Sequence, residues 1–200
     1  MQVGLTGIIS EDILKFVNTK LAPQEGLEVK VVTFNDWIQR NTALTDKIID
    51  ANFFQHRPFM NNALKELKIN LVRLNLVSLS TLGLFSKSLK SVNEVSDNAA
   101  VTITNDVINN DRGLRVLASN GLIKLKENTK EFVNQTDIIE NPKPLGIKEV
   151  KGVQVVRDIN NVDFIVSSAQ IALAEITPQS MGQETAKDNK SALVLVPLQG

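Results

Sequence analysis

Cysteine is absent from this chain of 200 residues, and histidine occurs once. Without cysteine the chain can form no disulfide framework, no thiolate zinc site and no cysteine nucleophile. A single histidine excludes a metal site built from several imidazoles and leaves little room for a hydrolytic triad. We therefore expect no metal and no cofactor.

Neither sign of charge is in excess, because 22 basic residues balance 22 acidic ones. A protein that holds nucleic acid through its phosphates needs a surplus of lysine and arginine, so we expect no nucleic-acid partner. No apolar run approaches the roughly 18 residues that would span a membrane. The GxGxxG, GxxxxGK[ST] and GxSxG motifs of nucleotide-binding proteins and hydrolases are missing too, so no catalytic constellation is visible.

The first third of the chain alternates between strand-like and helix-like patterns. Short apolar or alternating runs predict strands over residues 3–9, 27–31 and 49–54. Helices are predicted between and after them: one capped by Ser10, one over residues 36–48 and one opened by Pro58. Strand, helix, strand, helix, strand in so short a stretch predicts a parallel sheet and the α/β class.

The rest of the chain is less regular. Residues 70–80 read as strand-rich and residues 81–90 as a segment that crosses out of the first sheet. Asn105 and Asp106 can cap a helix that ends at Asn120 and Gly121. The remaining elements are predicted to be a helical turn over residues 136–140 and strands over 101–104, 122–125, 162–166 and 192–196.

Few side chains stand out at the carboxyl ends of the predicted strands, where open parallel sheets bind ligands. His56 and Trp37 lie at such ends, and Asp106 and Arg112 belong to a helix that begins at another. Each also has a structural interpretation: a hydrogen-bonding histidine, a tryptophan packed on the sheet, a helix cap and a solvated arginine. The residues alone leave both interpretations open.

One ordered set of short motifs is more specific. The chain reads FND at residues 34–36, NTAL at 41–44 and IDANFFQHRPF at 49–59, and later FSKSLKS at 85–91 and ENPK at 140–143. In this order the motifs resemble the NlpA lipoprotein family, which includes the methionine-binding protein of the methionine ABC importer. The resemblance covers nearly the whole chain, roughly residues 2–196, and the histidine-containing motif is its most specific part.

The resemblance implies a two-lobed periplasmic-binding-protein fold of type II with a cleft between the lobes. Residues 1–80 and 168–200 would form the first lobe, and residues 81–167 the second. By the same resemblance eight residues are expected to bind the ligand: Trp37, Phe54, His56, Phe59, Ser80, Asn109, Arg112 and Ser168. No catalytic residue is expected among them.

These residue types suit an amino-acid ligand. The Arg112 guanidinium offers a bidentate fork to an α-carboxylate, and the Asn109 amide can accept from an ammonium group. Aromatic rings suit an apolar or thioether side chain. Ser80, Ser168 and Ile171 stand where the family carries larger or different groups, so we expect free methionine to bind weakly and a bulkier amino-acid-like ligand to bind better.

The resemblance thus implies an extracytoplasmic solute-binding protein of an ABC importer, not an enzyme. Its partners would be an amino-acid-like small molecule and an ABC permease. It would belong to the cell envelope as a lipoprotein, and its lipid anchor would lie outside this chain. One alternative is a binding-protein fold reused for surface interaction or ligand sensing. Another is an enzyme with His56 as general base, the weakest because the sequence places no second titratable group beside it.

Overall fold

The chain divides into two units, each with its own sheet. The computed structural model describes residues 1–5, 8–34, 36–74, 81–127, 131–169, 171–172 and 179–183. Among these, residues 1–74 belong to the first unit and residues 81–183 to the second. The predicted lobe boundaries at residues 80 and 168 stay a prediction.

The first unit is built on three parallel strands. Strand β1 (Gln2–Leu5) lies between β2 (Lys30–Thr33) and β3 (Ala51–Phe53). Its α-helices are α1 (Ile8–Phe16), α2 (Gln39–Thr45) and α3 (Arg57–Leu67), and a π-helix (Val17–Leu21) and a 3-10 turn (Ala22–Glu25) continue α1. The parallel strand–helix alternation predicted for this part of the chain is confirmed.

Strand β1 packs differently on its two faces because successive side chains of a strand point in opposite directions. Val3 and Leu5 belong to a fully buried cluster on one face. Gly4 faces the other side, where a Cβ atom would lie 2.7 Å from Ile49 Cδ1 and 3.1 Å from Phe34 Cε2. Ile49 is itself 1 % exposed, so it has little room to move away. Because residue 4 has no side chain, Ile49 and Phe34 can pack directly on this face of the sheet.

Replacing Gly4 by alanine is expected to lower the free energy of unfolding by about 1–3 kcal/mol, the cost of overpacking a well-filled core. Urea denaturation measures this change. Gly146→Ala is the matched control, because it lies in a strand with nothing within 4 Å of the added carbon; its expected change is within about 0.5 kcal/mol. Equal effects at both positions would show that the Ile49 contact does not limit packing.

The second unit has a mixed five-stranded sheet. Its strands are β4 (Leu82–Ser86), β5 (Ala100–Thr104), β8 (Gly146–Val150), β9 (Phe164–Ser168) and β10 (Gln179–Gln183). Their order in the sheet is β10-β4-β9-β5-β8. Strand β5 is parallel to β8 and β9, and β4 is antiparallel to β9 and β10. A separate antiparallel pair joins β6 (Lys124–Leu125) to β7 (Ile138–Glu140).

Helix α4 (Val107–Ser119) is the main helix of this unit. It contributes Leu114 and Leu117 to a core in which Leu84, Val101 and Phe164 are also fully buried. The described helices also include α5 (Gly152–Val155) and 3-10 turns at Val92–Glu94, Gln135–Asp137 and Val156–Asn160. Because α4 is buried along most of its length, its polar side chains are held in fixed positions.

Two predictions are wrong: the start of the first helix and the crossing segment over residues 81–90. Helix α1 begins at Ile8, so Ser10 lies inside it and is not its cap, and β1 ends at Leu5. An apolar run alone does not distinguish the end of a buried strand from the start of a helix. Residues 81–90 are predicted to cross out of the first sheet, but Leu82–Ser86 form strand β4. Gly83 and the terminal Ser86 interrupt the apolar pattern that would indicate this strand.

The later predictions fare unevenly. Residues 136–140 were expected to be a helical turn, whereas a 3-10 turn ends at Asp137 and strand β7 follows. Strand β8 had no prediction, because this edge strand carries exposed Lys148 and Glu149 and so lacks apolar alternation. Residues 70–74 of the strand predicted over 70–80 are not a strand. The rest of that element, and the strand predicted over 192–196, lie outside the described residues.

Candidate functional site

His56 begins helix α3 of the first unit. Its backbone is extended, with φ −86° and ψ 160°, and its Nδ1 atom accepts a hydrogen bond from the Phe59 backbone N–H at 3.2 Å. Pro58 in the first turn is pre-set for a helix and lacks an N–H that would need a partner. Because Nδ1 accepts, a neutral His56 ring carries its proton on Nε2. The helix start thus fixes both the position and the tautomer of the histidine.

Three aromatic side chains meet around a fourth, that of Phe59. The Phe59 ring centroid lies 6.2 Å from that of Trp37, 6.0 Å from Phe54 and 6.0 Å from His56, and all three ring pairs are edge-to-face. All four side chains are half-buried, so the group, called the aromatic cluster below, keeps part of its surface exposed. Edge-to-face pairs of this kind are mutually stabilising. The structure therefore brings together the four first-unit residues that the motifs singled out.

A buried network of side-chain amides lies beside the aromatic cluster in the chain. Asn41 Oδ1 accepts from Asn52 Nδ2 at 3.1 Å and from Gln55 Nε2 at 2.8 Å, and Asn41 Nδ2 donates to Gln55 Oε1 at 3.0 Å. The three residues are between 0 % and 2 % exposed. This amide network ties helix α2 to the segment that carries Phe54 and His56. The motifs predict no role for this network, although polar residues inside a buried strand are a visible signal.

Arg40 is the least expected residue of the first unit. It is 0 % exposed, and its guanidinium carbon lies 3.6 Å from the centroid of the Phe54 ring. Burial lowers the pKa of Arg40 to about 9, an effect that the charge of Asp36 partly opposes. Its three side-chain nitrogens have no hydrogen-bond partner among the described residues. No sequence pattern predicts this burial, because an arginine on a short helix is usually solvated.

In the second unit, Asp106 organises the start of helix α4. Its Oδ1 atom accepts from the Asn109 backbone N–H at 2.9 Å, and its Oδ2 atom accepts from the Thr104 hydroxyl at 2.7 Å. Asn109 Nδ2 donates to both carboxylate oxygens, at 3.0 and 3.2 Å. Asp106 is therefore the cap that its position suggested.

Asn109 and Arg112 lie one turn apart on α4 and contact each other. Arg112 Nη1 donates to Asn109 Oδ1 at 3.1 Å, and both residues are 9 % exposed. Because the Asn109 nitrogen is directed at Asp106, its oxygen is directed at Arg112. The series from Thr104 through Asp106 and Asn109 to Arg112 thus orients the guanidinium before any ligand arrives, which is the preorganisation that carboxylate binding requires.

Of the two remaining predicted ligand-binding residues, Ser168 is not part of these groups. Ser168 ends strand β9, and its Oγ atom accepts from the Ile171 backbone N–H at a long 3.4 Å. Ser80 lies outside the described residues. Within the described part of the chain, no cluster of three or more histidine, cysteine or acidic side chains could hold a metal ion. In the same residues every helix is too short or too polar to cross a bilayer.

Comparison with known proteins gives consistent matches. The sequence profile of the NlpA lipoprotein family matches residues 1–197. The D-methionine-binding lipoprotein MetQ of Salmonella typhi is 38 % identical over 191 residues, which are 94 % of this chain and 68 % of that protein. A relative from Pasteurella multocida is 36 % identical over 160 residues, which are 80 % of this chain and only 58 % of the relative. The chain thus spans about six- to seven-tenths of the length of these curated relatives.

Solved structures agree with the sequence matches. A nutrient-binding protein from Burkholderia cenocepacia bound to methionine has a TM-score of 0.91 and 32 % identity, and the match covers 98 % of this chain and 84 % of that one. The structure of the methionine-binding protein MetQ has a TM-score of 0.91 and 28 % identity, covering 100 % of this chain and 83 % of that one. The expected α/β binding-protein fold is confirmed.

Proposed function

Because the chain belongs to the NlpA lipoprotein family, we propose that it is an extracytoplasmic solute-binding protein of an ABC importer whose ligand is methionine or a related amino acid or dipeptide. The resemblance stated from the motifs is confirmed, and so is the expectation that the chain is not an enzyme. The proposed partners are the small amino-acid-like ligand and an ABC permease. The proposed location is the cell envelope, since the relatives are named lipoproteins.

The convergence of three aromatic side chains on Phe59 is the observation that carries the proposal. Their rings supply a polarisable, partly exposed surface of the kind that a thioether or other apolar side chain contacts well. We therefore assign the side chain of the ligand to the aromatic cluster.

Arg112 supports the proposal from the second unit. Its Nη1 atom is held by Asn109, and Asn109 is held in turn by Asp106. A guanidinium oriented in this way can pair with a carboxylate without first losing rotational freedom. We assign the α-carboxylate of the ligand to Arg112. Asn109 Oδ1 accepts from Arg112, and we assign the ammonium group of the ligand to the same side-chain amide.

A thermal-shift panel tests the proposal. Ligand binding stabilises the folded protein by RT ln(1 + [L]/Kd), about 2.7 kcal/mol at a hundredfold excess over Kd. L-methionine, D-methionine, bulkier apolar amino acids and methionine-containing dipeptides are expected to raise Tm with concentration, the bulkier ligands more than free methionine. Phe59→Ala is expected to abolish the shift because it removes the centre of the aromatic cluster.

Phe16→Ala is the matched control, because Phe16 is 57 % exposed on helix α1 and makes no contact with the aromatic cluster that the structure records. This variant should keep the full ligand-induced shift. A panel without any shift would contradict the proposal and favour the interaction or sensing alternative. A shift that survives in Phe59→Ala would remove the aromatic cluster from the site.

A further inference from the structure

Arg40 is a buried cation that the proposed function has not used. None of its surface is exposed, and none of its three side-chain nitrogens has a hydrogen-bond partner among the described residues. Taking a charge out of water costs several kcal/mol unless other groups replace its hydration. Even with its lowered pKa of about 9, the group is charged at neutral pH. The protein therefore holds a buried guanidinium whose N–H donors have no acceptor among the described residues.

Arg40 contacts its surroundings through the face of its guanidinium and not through the edge that carries the N–H donors. The face of the guanidinium stacks on Phe54, with 3.6 Å between the guanidinium carbon and the ring centroid. Such stacking compensates part of the lost hydration. The N–H donors lie in the guanidinium plane, however, so they point sideways and not into the ring. The edge of the group still lacks an acceptor.

Asp36 does not supply that acceptor. Its charge raises the pKa of Arg40, but its Oδ1 atom accepts from the backbone N–H groups of Ile38 and Gln39, at 2.8 and 3.2 Å. The Asp36 carboxylate therefore stabilises the turn that precedes helix α2. A planar oxyanion from outside the chain matches the missing partner, because a carboxylate takes two parallel N–H donors from an arginine edge.

We propose that Arg40, stacked on Phe54, binds a carboxylate of the ligand. Because Phe54 belongs to the aromatic cluster, that carboxylate lies toward the side-chain end of the ligand, apart from the α-carboxylate assigned to Arg112. The inference rests on the proposed function and narrows its ligand class to amino-acid-like molecules with a second acidic group, such as acidic dipeptides. Arg40 is covered in this structure, so binding displaces part of its cover.

Two dipeptides that differ only in charge test this inference. Methionyl-glutamate and methionyl-glutamine have nearly the same shape, and calorimetry on the full chain gives the Kd of each. The wild type is expected to bind the glutamate dipeptide at least about tenfold more tightly, as a charge-assisted bidentate pair requires. In Arg40→Met the two Kd values should agree within about threefold. Equal affinities in the wild type would overturn the inference.

The melting temperature without ligand is an independent readout. Arg40→Met keeps an unbranched side chain against Phe54 but removes the buried charge whose N–H donors lack an acceptor among the described residues. We therefore expect the variant to melt at a higher temperature than the wild type. A clear decrease in Tm would show that Arg40 is a structural cation and would overturn the inference.

The failure of the proposed function is distinguishable from the failure of this inference. If neither dipeptide binds, the proposed function fails for this ligand class, and sodium acetate becomes the probe for Arg40. At equal ionic strength, acetate should raise the wild-type Tm more than chloride does and should have no such effect on Arg40→Met. Equal acetate effects in the two proteins would overturn the role of Arg40.

Discussion

Asn41→Ala is expected to lower the free energy of unfolding by about 3 kcal/mol or more, because it removes the centre of the amide network. Gln55 would lose the partners of both its amide atoms, and Asn52 would lose the acceptor of its Nδ2 atom. Each buried polar group left without a partner costs about 1–3 kcal/mol. Guanidinium chloride denaturation of the two proteins measures the difference. Thr42→Ala, at the adjacent exposed position, is the control and should change stability by less than about 0.5 kcal/mol.

A double-mutant cycle shows whether the loss comes from the network. Asn41→Ala and Gln55→Ala each break the same two hydrogen bonds, so the double variant should lose less stability than the sum of the single variants. The expected coupling is about 1 kcal/mol or more. Strict additivity, or a loss below about 1 kcal/mol for Asn41→Ala, would contradict the account of the network.

Arg112→Ala is expected to weaken binding of a carboxylate-bearing ligand by about 2–5 kcal/mol, the range for truncating one partner of a buried charge pair. The physical reason is that Arg112 is buried, held by Asn109 and ready to pair with a carboxylate. Calorimetry with the best ligand of the thermal-shift panel measures the loss. Arg112→Lys keeps the charge without the fork and should give an intermediate affinity.

Arg115→Ala is the matched control for Arg112. It removes an arginine from the same helix, but one whose side chain is 53 % exposed and paired with Asp111 at 2.9 Å. This variant should bind within about threefold of the wild type, a difference below 1 kcal/mol. Unchanged affinity in Arg112→Ala, with the folded state intact by circular dichroism, would exclude Arg112 from the site.

The elements of the fold that the sequence predicts are those whose local signals agree with their surroundings. Pro58 marks the start of α3, and Asp106 marks the start of α4, because caps and first-turn residues act within a few positions. Strand β4 is not predicted, because it depends on distant parts of the chain and not on local signals. Its burial depends on pairing with β9 and β10, whose residues lie roughly 80 to 100 positions further along the chain.

The site divides in the same way. The motifs indicated Trp37, Phe54, His56 and Phe59, and the structure brings their rings together. Arg40 could not be found from the sequence, because its burial is set by Phe54, which comes from a different element. Helical spacing describes one element at a time, and the environment of a charge is decided by the elements packed around it.

Calorimetric titration of the full chain with methionine and methionine-containing dipeptides tests the central claim most directly. The account predicts saturable binding at one site by at least one of these ligands, with tighter binding of a bulkier, acidic member than of free methionine. Binding should be lost in Phe59→Ala, weakened by about 2–5 kcal/mol in Arg112→Ala, and kept in Phe16→Ala and Arg115→Ala. The absence of saturable binding by every member at millimolar concentration, where even a weak complex of about −4 kcal/mol would be detected, would contradict the account.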